Sequence, residues 1–181
     1  MKKLLLVVAL VGVCATAQAK VFAWGAKAGL EMPSFSMGGG AAANSISANN
    51  GFHFGFFAQA NVPLLGIGVQ PEVLYVRRDV AGGVNYFDIP LNLVWGVDLK
   101  VIRPFFAVTP YLSYALNDVS VPFFNKTLSR TSYGVGFGGG VDLFRKVQLQ
   151  GRWNHGLNNL VDDPDLRYRM RGFSLSLGWF F

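Results

Sequence analysis

The two histidines are the residues of this sequence best suited to acid–base chemistry. His53 and His155 are its only histidines, and imidazole is the side chain that most readily exchanges a proton near neutral pH. No serine lies within two residues of His155, although Asp162, Asp163 and Asp165 follow it closely. Histidines without a defined nucleophile and orienting group do not make an enzyme. The sequence therefore predicts a protein without catalytic residues.

Two further patterns could hold a ligand. The run "DDPD" at 162–165 offers carboxylates to a hard cation, but it lacks the spaced ligands and the glycine of a calcium loop. The glycines Gly134, Gly136 and Gly139 have dinucleotide-binding spacing, yet they run along a predicted strand, whereas that fingerprint opens a helix. We therefore expect no metal and no cofactor.

The N-terminus has the pattern of a secretory signal peptide. Lys2 and Lys3 precede an apolar run over 4–13, and Ala17-Gln18-Ala19 offers small residues for cleavage. This pattern predicts a signal peptide over 1–19 and one mature domain over 20–181. Cys14, the single cysteine, would leave with the signal peptide, so no disulfide is expected.

Composition points to a membrane. The chain is 51% hydrophobic and only 14% charged, against about 25% charged residues in soluble domains. Beyond the signal peptide there is no apolar run of the ~18 residues that a spanning helix needs. Its basic residues do not form one stripe, so nucleic acid is not an expected partner. These properties favour a β-barrel in the outer membrane of a Gram-negative cell.

Alternation of period two supports this interpretation. In "YFDIPLNLVW", Phe87, Ile89 and Leu91 fall on one face, and Asp88 and Asn92 fall on the other. Strand side chains alternate between faces, so such a run has one oily and one polar side. Similar runs cover 22–32, 51–62, 67–78, 86–98, 105–114, 132–143, 147–154 and 172–181.

The connections between these runs alternate in length. Long ones cover 33–50, 77–84, 117–130 and 156–170, and short ones lie around 63–66, 100 and 145. Outer-membrane barrels have short periplasmic turns and longer outer loops. The predicted fold is therefore all-β: a single eight-stranded antiparallel up-and-down transmembrane β-barrel. The segment 33–50 is rich in Gly, Ala, Ser and Asn and is predicted to be mobile, and Phe123 and Phe124 are candidate contact residues in the third long connection.

Four prolines do not fit this pattern. Pro71, Pro90, Pro104 and Pro110 lie inside predicted strands, and each removes a hydrogen-bond donor from a strand that should be paired on both sides.

The polar faces predict a charge network inside the barrel. An eight-stranded bore is narrow enough for side chains to fill, and buried charges persist there only when paired. We expect a salt-bridged plug, with a small diffusion pore as the alternative. The predicted members are Lys27, Glu31, Glu72, Arg78, Asp88, Asp98, Arg103, Asp142 and Arg152.

The chain also resembles the PorT-like outer-membrane β-barrel family over nearly all of its mature length. The resemblance rests on "AWGAKAGLEM", "GFHFGFFAQANVPL", "VQPEVLYVRR", "YFDIPLNLVW", "GFGGGVDL", "VQLQGRWNHGLNNL" and "GFSLSLGWFF". It implies an eight-stranded outer-membrane barrel in which Pro71, Pro90 and Pro110 belong to the pattern. Some relatives belong to a secretion apparatus, but the resemblance implies no activity and no site residues.

Together these observations predict a non-enzymatic outer-membrane protein with a structural, surface-contact or secretion-accessory role. A small pore is the alternative, and a barrel enzyme is less expected. The terminal Phe181 resembles the assembly signal of outer-membrane barrels. The expected partners are outer-membrane lipid, the barrel-assembly machinery and secretion-system or surface proteins.

Overall fold

The computed structural model describes residues 22–38, 45–47, 49–62, 65–79, 83–99, 101–117, 130–158 and 167–181. The predicted signal peptide, Phe123, Phe124 and the "DDPD" run lie outside these residues. Nine strands form a single sheet: β1 (Phe22–Gly38), β2 (Ser45–Ser47), β3 (Asn49–Asn61), β4 (Ile67–Asp79), β5 (Val84–Gly96), β6 (Ile102–Ala115), β7 (Thr131–Leu143), β8 (Val147–Gly156) and β9 (Arg167–Phe180).

The eight long strands close into a barrel. Each pairs antiparallel with its neighbour in the chain, and β1 also pairs antiparallel with β9. The short β2 pairs with the end of β1 beyond the residues that β3 contacts. This closed, all-antiparallel barrel confirms the predicted fold.

The faces of the strands are also those predicted from alternation. Along β5, side chains alternate between buried and exposed positions from Tyr86 to Gly96. Asn92 is fully buried, whereas Trp95 exposes 65% of its surface. The barrel therefore has a polar, densely filled interior and an apolar exterior, which is the reverse of a soluble barrel.

Two long connections are shorter than predicted. Strand β1 continues to Gly38 and β9 begins at Arg167, and the two pair along this whole extension. The prediction that 33–50 and 156–170 are continuous loops is therefore wrong. Pairing there is made by the backbone, so it does not need the apolar alternation from which the strand ends were predicted.

Three of the four prolines, Pro71, Pro90 and Pro110, lie close together on the adjacent strands β4, β5 and β6. Pro71 of β4 pairs with Leu91 of β5, and Pro90 of β5 pairs with Tyr111 of β6. The next pair between β5 and β6 is Leu93 with Val108, so their register has a gap between these two pairs. The β4–β5 register likewise has a gap between Pro71↔Leu91 and Leu74↔Asp88. The donors that the prolines lack thus fall in one interrupted zone of β4, β5 and β6, and the ladder on either side stays in register.

Side chains bridge this zone. Asn92 donates from Nδ2 to the backbone oxygen of Gln70 at 3.1 Å, and its Oδ1 accepts from Thr109 Oγ1 at 2.7 Å. Pro104 lies outside the zone, near the start of β6, where its carbonyl accepts a hydrogen bond from the backbone nitrogen of Val97 at 3.0 Å. The barrel accommodates the prolines because buried polar side chains replace part of the ladder.

Asn92→Ala should therefore lower the free energy of unfolding by about 1–3 kcal/mol, because it leaves buried partners without their hydrogen bonds. Urea unfolding in detergent micelles, followed by tryptophan fluorescence, measures the change. The control is Asn85→Ala in the same strand. Asn85 is half-buried, and its side chain makes one long contact of 3.5 Å, to Asn117, among the described residues. Equal losses for both variants would contradict the bridging role of Asn92.

Candidate functional site

The centre of the lumen is built around Glu72, which projects inward from β4. Lys27 of β1 donates a hydrogen bond to Glu72 Oε1 and another to Gln150 Oε1, the second at 2.7 Å. Gln70 Nε2 also donates to Glu72 Oε1, at 2.7 Å. Arg152 of β8 brings a guanidinium nitrogen within 3.6 Å of Glu72 Oε2. One carboxylate thus links strands from opposite parts of the sheet.

Two further ion pairs lie on either side of this centre along the barrel, one towards the long connections and one towards the short turns. Arg78 of β4 contacts Asp88 of β5 at 2.6 Å, and its guanidinium carbon lies 4.8 Å from the centroid of the Tyr86 ring. Towards the short turns, Arg103 of β6 contacts Asp142 of β7 at 3.1 Å. Both pairs join neighbouring strands, so they reinforce the ladder from inside.

Asp98 departs from the predicted network. Strand β5 ends at Gly96, so the alternation that would have turned Asp98 inward stops before it. Its side chain is 49% exposed and pairs at 2.9 Å with Arg145, which lies in the turn between β7 and β8. The lumen therefore holds four predicted cations, Lys27, Arg78, Arg103 and Arg152, and four predicted anions, Glu31, Glu72, Asp88 and Asp142.

A buried serine contacts His53, and no pattern in the sequence indicates this contact. Ser176 Oγ lies 2.9 Å from His53 Nε2, and Glu31 Oε1 lies 3.0 Å from His53 Nδ1. Gly29 separates the two strands, since it pairs with His53 on one side and with Ser176 on the other. A Cβ at Gly29 would lie 2.6 Å from the imidazole, so only glycine lets the ring reach across β1.

The order serine–histidine–carboxylate is that of a hydrolase triad, but among the described residues His53 exposes only 1% and Ser176 only 6% of its surface. The cavity next to Glu31 has a volume of about 10 Å³, which is the space of about one water molecule. His155 lies on β8 and pairs with Val135 and Arg171. Ser176, His53 and Glu31 therefore form one buried polar cluster, in which Ser176 hydrogen-bonds to His53 and Glu31 lies at ion-pair distance from it.

Two further features concern the part of the molecule that the structure describes: metal-binding groups and membrane-spanning helices. Within those residues, no group of three or more His, Cys, Asp or Glu side chains could hold a metal ion. No helix among them is long and apolar enough to cross a membrane.

Comparison with known proteins agrees with this architecture. Neisserial surface protein A (NspA) matches with a TM-score of 0.55 at 16% identity, over 87% of this chain and 97% of that one. Ail, the attachment invasion locus protein of Yersinia pestis, matches with a TM-score of 0.50 at 12% identity, over 88% and 98%. Identities this low show a shared fold and no more. None of the curated proteins compared with the chain matches it.

A family model gives the stronger result. The model described as "Outer membrane protein beta-barrel domain" matches residues 4–181. This match covers almost the whole chain and includes every strand of the barrel. The chain therefore belongs to the outer membrane protein β-barrel domain family and is an outer-membrane protein.

Proposed function

We propose that this protein is a non-enzymatic, non-conducting outer-membrane barrel that provides a structural scaffold for contacts at the cell surface. The observation that carries the proposal is the filled lumen. Lys27 and Glu72, at its centre, each expose only 1% of their side chains. A water-filled pore would leave charged side chains at this level in contact with solvent.

Amide side chains close the remaining space at this level. Gln70 and Gln148 hydrogen-bond to each other at 3.1 Å, and Gln150 Nε2 donates to Asn92 Oδ1 at 3.3 Å. All four are at most 3% exposed. Such a layer crosses the bore from β4 and β5 to β8, so ions passing through would have to break several buried hydrogen bonds.

The non-enzymatic part of the proposal rests on access. Ser176 and His53 have the distance that nucleophile activation requires, but a reacting carbonyl must also reach the serine. Ser176 is 6% exposed and His53 1% exposed, so both side chains are covered by their neighbours. Their geometry serves the closure of the barrel, since it ties β1, β3 and β9 together from inside.

The surface-contact part rests on the extension of the sheet. Strands β1 and β9 remain paired to Gly38↔Arg167, whereas the last pair between β1 and β3 is Glu31↔Gly51. The extension lies at the end of the barrel that carries the long connections. In outer-membrane barrels this end faces the outside of the cell. Paired strands beyond the rim form a rigid base for contacts with another protein.

Three more specific predictions from the sequence belong to this proposal: the family branch, the signal peptide and the assembly signal. The motifs quoted above support membership of a PorT-like branch, and with it an accessory role beside secretion-system or surface proteins. The N-terminal pattern supports a signal peptide over 1–19 and export before assembly. The aromatic end at Phe181 supports recognition by the barrel-assembly machinery.

Bilayer conductance of the purified full-length protein tests the sealed lumen. We expect no stable single-channel steps. A variant carrying Lys27→Ala, Glu72→Ala and Arg152→Ala should conduct, because it removes the side chains that fill the centre. Large, stable steps from the unaltered protein would establish the small-pore alternative instead.

The central ion pair should show strong coupling. Glu72→Leu alone leaves Lys27 buried without its carboxylate and should lower the free energy of unfolding by about 3–5 kcal/mol, whereas the double variant Lys27→Met/Glu72→Leu should recover much of that loss. A double-mutant cycle on urea unfolding measures the coupling. The exposed pair of Arg145 and Asp98 is the control, with an expected coupling of at most about 1 kcal/mol. Additive losses at Lys27 and Glu72 would contradict the network.

Deletion of Phe181 should reduce assembly in the outer membrane. The Phe181 ring packs 4.6 Å from that of Trp24, and its backbone nitrogen donates to the Trp24 oxygen at 3.0 Å. Membrane yield and heat-modifiable mobility measure assembly, and Phe181→Trp, which keeps a terminal aromatic ring, is the control. Folding of the purified deletion variant in micelles should be retained. Unchanged membrane yield would refute the signal.

A further inference from the structure

The turn between β7 and β8 has an unusual backbone for its sequence. Phe144 and Arg145 have φ angles of 52° and 55°. The backbone nitrogen of Lys146 donates to the Leu143 oxygen at 2.9 Å, which closes a two-residue hairpin. Positive φ at both central residues is the type I′ geometry, for which Asn-Gly is the favoured sequence.

Phe-Arg is therefore a poor choice for the turn itself. A non-glycine residue in the left-handed region is strained, and such strain persists where the surrounding structure holds it in place. The backbone nitrogen of Phe144 donates to the Val101 oxygen at 2.8 Å, and the Lys146 oxygen accepts from the Phe180 nitrogen at 2.8 Å. The turn is thus fixed on both sides. Its two side chains need an explanation other than backbone conformation.

These side chains form one wall of an open cleft. The cleft has a volume of about 560 Å³ and is lined by Asp98, Val101, Phe144 and Arg145. The Phe144 side chain is 70% exposed, and Arg145 is held by Asp98 at 2.9 Å. The cleft therefore combines two apolar residues with one exposed cation and one exposed anion that contact each other.

Its position is at the edge of the apolar surface of the barrel. Val147, the first residue of β8, pairs with Trp179, which is exposed on the outer face. Exposed tryptophans mark the boundary between acyl chains and headgroups. The cleft lies just beyond that boundary, at the end with the short turns, which is periplasmic in such barrels.

From this arrangement we propose that the cleft binds the headgroup of an ethanolamine phospholipid in the periplasmic leaflet. The Arg145 guanidinium contacts the phosphate, because arginine matches phosphate geometry. The Asp98 carboxylate accepts hydrogen bonds from the ammonium group. Phe144 and Val101 contact the glycerol and the first acyl carbons. The inference is independent of whether the lumen conducts.

Native mass spectrometry of the full-length protein, released from micelles that contain one defined phospholipid, tests this site. The probes are phosphatidylethanolamine, phosphatidylcholine, whose methylated nitrogen donates no hydrogen bond, and phosphatidylglycerol, which has no ammonium group. We expect the ethanolamine lipid to bind best. Arg145→Gln should weaken the binding of all three by about tenfold, the effect of losing one charge-assisted hydrogen bond. Asp98→Asn should remove the preference for ethanolamine.

The decisive variant is Phe144→Asn with Arg145→Gly, which gives the turn its favoured sequence. It should unfold at the same or a higher urea concentration and lose lipid binding by tenfold or more. Arg77→Gln is the control, since Arg77 is exposed near the end of β4, at the opposite rim. Full lipid binding by the double variant would overturn the proposal. A loss of stability in that variant, or an equal loss of binding in Arg77→Gln, would also overturn it.

Discussion

The sheet of this protein closes on itself through the pairing of β1 with β9. In hydrocarbon an unpaired backbone donor or acceptor costs several kcal/mol, so a spanning sheet cannot have an open edge. The β1–β9 ladder meets this requirement and continues past the rim to Gly38 and Arg167. It also brings Ser176, near the end of the chain, against His53.

Closure with eight strands makes the bore narrow, and this decides what the interior can contain. Polar residues on the inner face cannot keep a full hydration shell, so they must satisfy one another. The four predicted cations and four predicted anions of the lumen balance one another in charge. The layer of Gln70, Gln148, Gln150 and Asn92 adds amide hydrogen bonds. The same packing that lowers the cost of burial is the basis of the sealed lumen proposed above.

Much of the fold could be predicted from the sequence, because alternation is a local signal. Each strand must show one face to lipid, so the apolar positions recur every second residue whatever the strand pairs with. The ends of strands were harder to predict. Asp98 was assigned to the lumen because alternation was continued past Gly96, and the pairing up to Gly38 and Arg167 was missed because it depends on a partner far along the chain.

Alternation along each strand is enough to predict the class of barrel, the inward and outward faces, and most of the residues that fill the lumen. Which of these residues meet is visible only in the folded barrel: Lys27 contacts Gln150, 123 residues away along the chain, and His53 contacts Ser176 across Gly29. The folded barrel also groups the gaps beside Pro71 and Pro90, which no single strand explains. The physical reason is that faces follow from local backbone geometry, whereas contacts across the lumen follow from register and closure.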